Sequence, residues 1–192
     1  MPSLAEKQRL FTADEYHALG KAGILTEDDR VELIDGQIIA MSPIGSYHAA
    51  IVNRITHLLT TRLYRDSPPE AVISVQNPVR LSDHTEPEPD VVLLHPRPDF
   101  YASRLPGPQD VLLLVEVADT TLAFDREVKL PRYAAAGIPE VWIVALEEDR
   151  VDVYRQPGPS GYAEGTVLGR GEQVQIEALP DVGSFEISDM LG

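Results

Sequence analysis

Between Thr12 and Met41 the apolar residues come in short runs separated by turn chemistry, a pattern that predicts a helix and then a hairpin. Thr12 is followed three residues later by Glu15, a capping-box pattern that starts a helix running to Lys21. VELI and QIIAM flank Asp35-Gly36, and Asp-Gly between apolar runs is the strongest short-range hairpin signal. Pro43 to Ser46 ends that strand, with Ser46 a candidate cap for the next helix. From His48 to Tyr64, positions 48, 51, 52, 55, 58, 59 and 63 are apolar or ring-bearing. That spacing makes one stripe, so this helix packs a single face on a sheet.

Further along, the period changes to that of strands, expected over 71–81, 90–95 and 111–118. The Pro-rich HPRPDFYASRLPGPQD between the last two reads as a surface loop. A helix over 127–136 ends at Gly137, placed as a C-cap glycine with Pro139 beyond it. Glu140 to Leu146 reads as a buried strand, with Arg150 to Arg155 paired beside it. The stretch from Tyr162 to Phe185 reads as short strands with glycine turns and then a frayed end. The core order is therefore α-β-β-β-α-β, a meander and a helical crossover to a fourth strand. This is an α/β architecture, read as one domain over residues 1–192.

Composition narrows the chemistry. The chain has no cysteine, which excludes disulfides, thiolate metal sites and a thiol nucleophile. Its net charge is -15, from 31 acids against 16 bases, so it is not a protein that coats nucleic acid by charge alone. Met1 to Leu10 has no apolar leader segment, and no apolar run is long enough to span a membrane. A cytoplasmic location without membrane association is the expectation. Lysine is scarce: the bases are thirteen arginines and three lysines, and Lys129 is the one lysine beyond residue 21.

Three residues carry candidate chemistry. Glu116 interrupts VLLLVEVA, an eight-residue strand that is otherwise apolar on both faces. A carboxylate there must be paired or must hold a cation, and an arginine salt bridge is the structural alternative. Asp90 opens PDVVLL directly after Pro89; if the two strands are neighbours, Asp90 and Glu116 meet at the sheet edge. Two such carboxylates suit a hard cation, Mg2+ with Mn2+ able to substitute, with the backbone carbonyl of Val117 as a further ligand. Glu86 and Glu88, in TEPEPD, read as a solvated approach loop. Lys129 is placed in the first turn of the crossover helix, with Pro131 marking its start and Tyr133 on the same face. It is then close enough to reach the acid pair from outside the core. Its alternative is a solvated surface lysine.

PEPDVVLL, LLLVEVAD and FDREVKLPRYAAAGIPEVWIVAL together resemble the Uma-type family of restriction endonucleases, a branch of the PD-(D/E)XK nuclease superfamily. The resemblance runs from VELIDGQIIAMSP to EVWIVAL. In the superfamily pattern Pro-Asp is followed on the next strand by Glu-X-Lys. Here Pro89-Asp90 and Glu116-Val117 match, but Ala118 stands at the lysine position. Within the Uma-type branch that lysine lies on the following helix, where Lys129 stands. The resemblance implies a restriction-endonuclease-like mixed sheet, with the N-terminal helix and hairpin and the C-terminal short strands added to its core. It further implies a Mg2+-dependent endonuclease that hydrolyses phosphodiester bonds of nucleic acid, DNA foremost, and homodimerisation is the default for cutting two strands. Glu32 resembles the family's acidic residue from an N-terminal element, its alternative being a solvent-facing hairpin position. His48 resembles the family's helix histidine, its alternative being a core-edge or capping residue. Gln76, on the first meander strand, is a candidate to orient a water or a phosphate. The competing reading is a non-catalytic, metal-binding accessory protein that keeps the fold.

Overall fold

The computed structural model describes residues 8–26, 28–65 and 69–192. The leader-free reading of the N-terminus rests partly on residues 1–7, which lie outside the described residues.

Helix α1 (Ala13–Lys21) starts at the expected capping box: the Glu15 amide donates to Thr12 Oγ1 at 3.2 Å, and the Thr12 amide to Glu15 Oε2 at 3.1 Å. Strands β1 (Val31–Ile34) and β2 (Gln37–Ala40) form the hairpin. Both turn residues have positive φ, 49° at Asp35 and 75° at Gly36, the conformation a two-residue turn of this hand requires. Helix α2 (Ser46–Leu63) begins two residues earlier than the stripe predicts. Its cap is Gly45, which makes no side-chain cap bond, so Ser46 is the first helical residue rather than the cap.

The central sheet has six strands in the order β3-β4-β5-β6-β7-β8. They are β3 (Val72–Val75), β4 (Val91–Leu94), β5 (Val111–Ala118), β6 (Glu140–Ala145), β7 (Arg150–Gly158) and β8 (Gly161–Gly169). All neighbours are antiparallel except β5 and β6, which are parallel and joined by the helical crossover. The α-β-β-β-α-β order expected from sequence is thus observed, in a mixed sheet. Period-2 alternation divides the core. Val91, Leu93, Leu113, Val115 and Val117 pack with α2 on one face, while Val92, Leu94, Leu114 and Ala118 pack with Tyr133 on the other.

Several boundaries differ from expectation for identifiable reasons. The first meander strand ends at Val75, not 81, because Gln76 has φ 50° and turns the chain out of the ladder. The crossover is helical from Leu122, not 127. It comprises α3 (Leu122–Phe124), a π-helical turn (Asp125–Lys129) and α4 (Leu130–Ala136). The Leu130 amide bonds back five residues to the Asp125 carbonyl. This wide turn lies just before Pro131, whose ring would crowd the carbonyl four residues back in a regular helix. The proline therefore sits inside the helical run rather than at its start. At the far end, β9 (Gln173–Gln175) and β10 (Ser184–Glu186) pair, and the expected frayed end is instead α5 (Ile187–Leu191). Ile187, Met190 and Leu191 are buried in the α2-side core, which explains why this end is ordered. No helix among the described residues is long and apolar enough to cross a membrane.

Candidate metal and nuclease site

The β4/β5 register pairs Val91 with Val115, so one further step sets Asp90 opposite Glu116. Opposed residues of antiparallel strands share a face, and here both are acids. Asp90 sits just before the start of β4, where its carboxylate meets three donors. His48 Nε2 lies 2.8 Å and Gln76 Nε2 3.1 Å from Oδ1, and the Val117 amide donates to Oδ2 at 2.8 Å. The hydrogen bond and charge of Asp90 raise the His48 pKa above its ordinary value, against the opposing effect of burial. Val117 buries its side chain in the α2-side core, so its backbone is what meets the cavity.

Glu116 is 3% exposed. Its Oε1 accepts from the Tyr133 hydroxyl at 2.5 Å and from Lys129 Nζ at 3.3 Å, while no donor among the described residues reaches Oε2. Burial pushes its pKa up to about 8; Lys129 counters this, and the charges of Asp125 and Asp90 add to it. Burial and the Glu116 carboxylate likewise hold Tyr133 protonated. Lys129 also bridges to Glu32 Oε2 at 3.1 Å. Burial disfavours its charge, but Glu116, Glu32 and Asp125 outweigh that and raise its pKa.

Every residue singled out from sequence for this site is therefore brought together, in two linked groups. Asp90 gathers His48, Gln76 and Val117, and Lys129 joins Glu32 to Glu116. Two placements differ from expectation. Lys129 is not a helix-start residue reaching in from outside; at 5% exposure it is part of the interior. Glu86 and Glu88 are not a solvated approach loop. Glu86 is 1% exposed because a β-bridge with Leu33 carries it inward, and the Glu88 amide donates to Glu32 Oε2 at 3.2 Å. Asp125 was missed. It is buried, accepts from Thr121 Oγ1 at 2.7 Å, and burial raises its pKa. Its position four residues before Lys129 was the available signal.

These residues surround a cavity of about 340 Å³. Six acids line it (Glu32, Glu88, Asp90, Glu116, Asp119 and Asp125), against Arg30 and Lys129 as the Lys/Arg side chains. Among the described residues no three His, Asp or Glu side chains form a ready metal-ligating cluster. The donor set is thus unlike a closed protein cage. It fits a hard cation held by one or two carboxylates and completed by waters and substrate oxygens. The excess of buried acid, and the Glu116 oxygen without a protein donor, give such a cation a favourable place.

Two opposed carboxylates and a buried lysine thus stand together at the ends of β4 and β5 in a mixed α/β sheet. The family model Uma2, described as "Putative restriction endonuclease", matches residues 13–188, and the chain belongs to that family. A crystal structure described as a "putative nuclease belonging to DUF820", from Anabaena variabilis, is similar in fold. It superposes with a TM-score of 0.70 at 17% identity, covering 94% of this chain and 97% of the other. No curated protein matches the chain.

Proposed function

We propose that this protein is a Mg2+-dependent endonuclease that hydrolyses nucleic-acid phosphodiester bonds, with DNA as its main substrate. The observation that carries this reading is Lys129 Nζ lying 3.1 Å from Glu32 and 3.3 Å from Glu116, beside a Glu116 oxygen that faces the cavity without a protein donor. Asp90, Glu116 and the Val117 carbonyl would hold the cation, and Mn2+ would substitute. Such a cation supplies positive charge to a phosphoryl oxygen and makes water more acidic. Lys129 holds Glu32 and Glu116 together and adds a fixed ammonium charge where charge builds up at phosphorus. Tyr133, donating to Oε1, keeps Glu116 turned so that Oε2 stays available. His48 and Gln76 fix the Asp90 carboxylate, and His48 can exchange a proton with a water at the rim. The working unit is residues 1–192 as one domain, located in the cytoplasm and acting as a homodimer when two strands are cut.

The test is cleavage of single- and double-stranded DNA and RNA with Mg2+, Mn2+ or EDTA, with Asp90→Asn/Glu116→Gln/Lys129→Ala as control. Cation-dependent cleavage lost in that variant supports the assignment. No cleavage by the wild-type chain on any substrate, with cation binding intact, would replace it with the accessory, metal-binding reading that the charge of -15 favours.

A further inference from the structure

The acids of this chain are unevenly placed. None of its 31 acidic residues falls between Gly36 and Arg65, a run of 30 residues that contains Arg54, Arg62, Arg65, His48 and His57. The run occupies one continuous piece of surface. Its first part, residues 39–45, lines the catalytic cavity. It then enters α2 at Ser46, and His48 on the first turn meets Asp90. The outward side of α2 carries exposed Tyr47, Arg54 and Thr61, and exposed Arg65 follows just past its end. At 100° per residue the three helical positions fall within about 40° of one another, on a line about 21 Å long that leads away from the cavity. Tyr47 is 51% exposed, and Tyr64, at the far end, is 43% exposed. Arg62 is set apart, because its guanidinium lies 4.2 Å from the Phe185 ring centroid. Surfaces elsewhere carry acids: Asp14 and Glu15 on α1, and Glu147, Glu148 and Asp149 between β6 and β7.

Resting on the nuclease reading above, we infer that the outward face of α2 is the track along which one substrate strand leaves the cavity. Arg54 and Arg65 meet its phosphates, and Tyr47 stacks on an exposed base. The charge arrangement explains how a protein of net charge -15 can hold a polyanion. Repulsion is spread over the remaining surface, while the run without acids leads to the buried acids that need a cation. A tyrosine at the cavity end suits an unpaired base, since stacking on an aromatic ring accepts any base.

The experiment compares wild type with Arg54→Gln/Arg65→Gln and with Arg9→Gln/Lys21→Gln, an equal charge change near α1. Anisotropy of labelled single-stranded DNA, single-stranded RNA and duplex DNA is measured in Mg2+ over a salt series, with cleavage followed in parallel. Loss of two phosphate contacts lowers the slope of log affinity against log salt by about 1.4 for single strands or about 1.8 for duplex. That drop is expected in the α2 pair and not in the α1 pair. Tyr47→Ala is expected to weaken single-strand binding about fivefold or more, and duplex binding less. Circular dichroism melts verify that the surface variants are folded. Equal slope changes in both pairs, or none in the α2 pair while wild type still cleaves, overturn the track and leave the nuclease reading standing. Absence of both binding and cleavage by wild type overturns the nuclease reading and the track with it.

Discussion

Two sets of buried carboxylates flank the central sheet, and they are balanced in opposite ways. On the β6–β7 side, Glu140 pairs with Arg155 at 2.7 Å and also accepts from Trp142 Nε1 and the Glu177 amide, each at 2.8 Å. Asp152, beside it, pairs with Arg126 at 2.5 Å and Arg150 at 3.0 Å. On the cavity side, Glu32 and Glu116 share one lysine, and Asp125 has the Thr121 hydroxyl. Depth does not separate the sets, since Glu140 is 1% and Glu116 3% exposed. What separates them is the supply of positive charge. Acids matched by arginine, as Glu140 and Asp152 are, have their countercharge supplied by the fold, whereas acids that share one cation around a cavity keep capacity for another.

Four measurements would break or sharpen this contrast. The largest effect is expected at Glu140, where Glu140→Ala strands Arg155 and the buried Trp142 N–H. Such a loss costs about 3–5 kcal/mol, readable by denaturant unfolding. Glu116→Gln in cation-free buffer should cost far less or stabilise, because burial already disfavours the Glu116 charge and favours its protonated form. Comparable losses at the two positions would erase the distinction.

Next in size is a rate effect confined to the cavity side. Lys129→Met keeps the buried volume and removes the charge. Single-turnover cleavage should fall by about 10²–10³, while Asp152→Asn keeps its rate. Wild-type turnover by Lys129→Met would reduce the lysine to a structural tie.

Third comes cation linkage. Mg2+ should raise stability by about 2.7 kcal/mol at a hundredfold excess over its dissociation constant. Asp90→Asn should abolish the shift and Asp152→Asn preserve it. A melting shift that survives Asp90→Asn would move the cation elsewhere.

The smallest effect, at most about 1.4 kcal/mol per pH unit, is a pH slope. In cation-free protein the Glu116 pKa is raised from 4.5 to about 8, so the folded state keeps a proton that the unfolded chain releases. This contribution to stability is greatest below pH 4.5 and is lost as pH rises toward about 8. Glu116→Gln should flatten the slope in that window; an identical slope in the variant would show that another group titrates there.

The elements with strong local causes were legible in the sequence. Asp35-Gly36 encodes its turn, and Val111–Ala118 was bounded correctly because burial on both faces gives a run that is apolar except at Glu116. Asp90 and Glu116 were legible as a pair because strand order brings them together once the meander is recognised, whereas Glu32 and His48 came from the family resemblance and Asp125 from neither. Three things depended on tertiary structure. TEPEPD looks solvated, yet the bridge between Leu33 and Glu86 folds it inward. The π turn has no local pattern of its own, so the depth of Lys129 could not be inferred from Pro131. The Ile187–Leu191 helix is too short to show a period, and its order comes from packing on α2.

The bond from the Val117 amide to Asp90 Oδ2 gives a carboxylate the place that a backbone carbonyl would take in a longer β4. Sheet length and ligand geometry thus meet in one proton. If Asp90 turns toward an incoming ion, that proton loses its acceptor while its neighbours on β5 keep theirs. Its exchange with deuterium should then quicken at a single position in an otherwise silent strand. The fold thereby carries a stopwatch for occupancy, readable residue by residue in solution without any substrate at all.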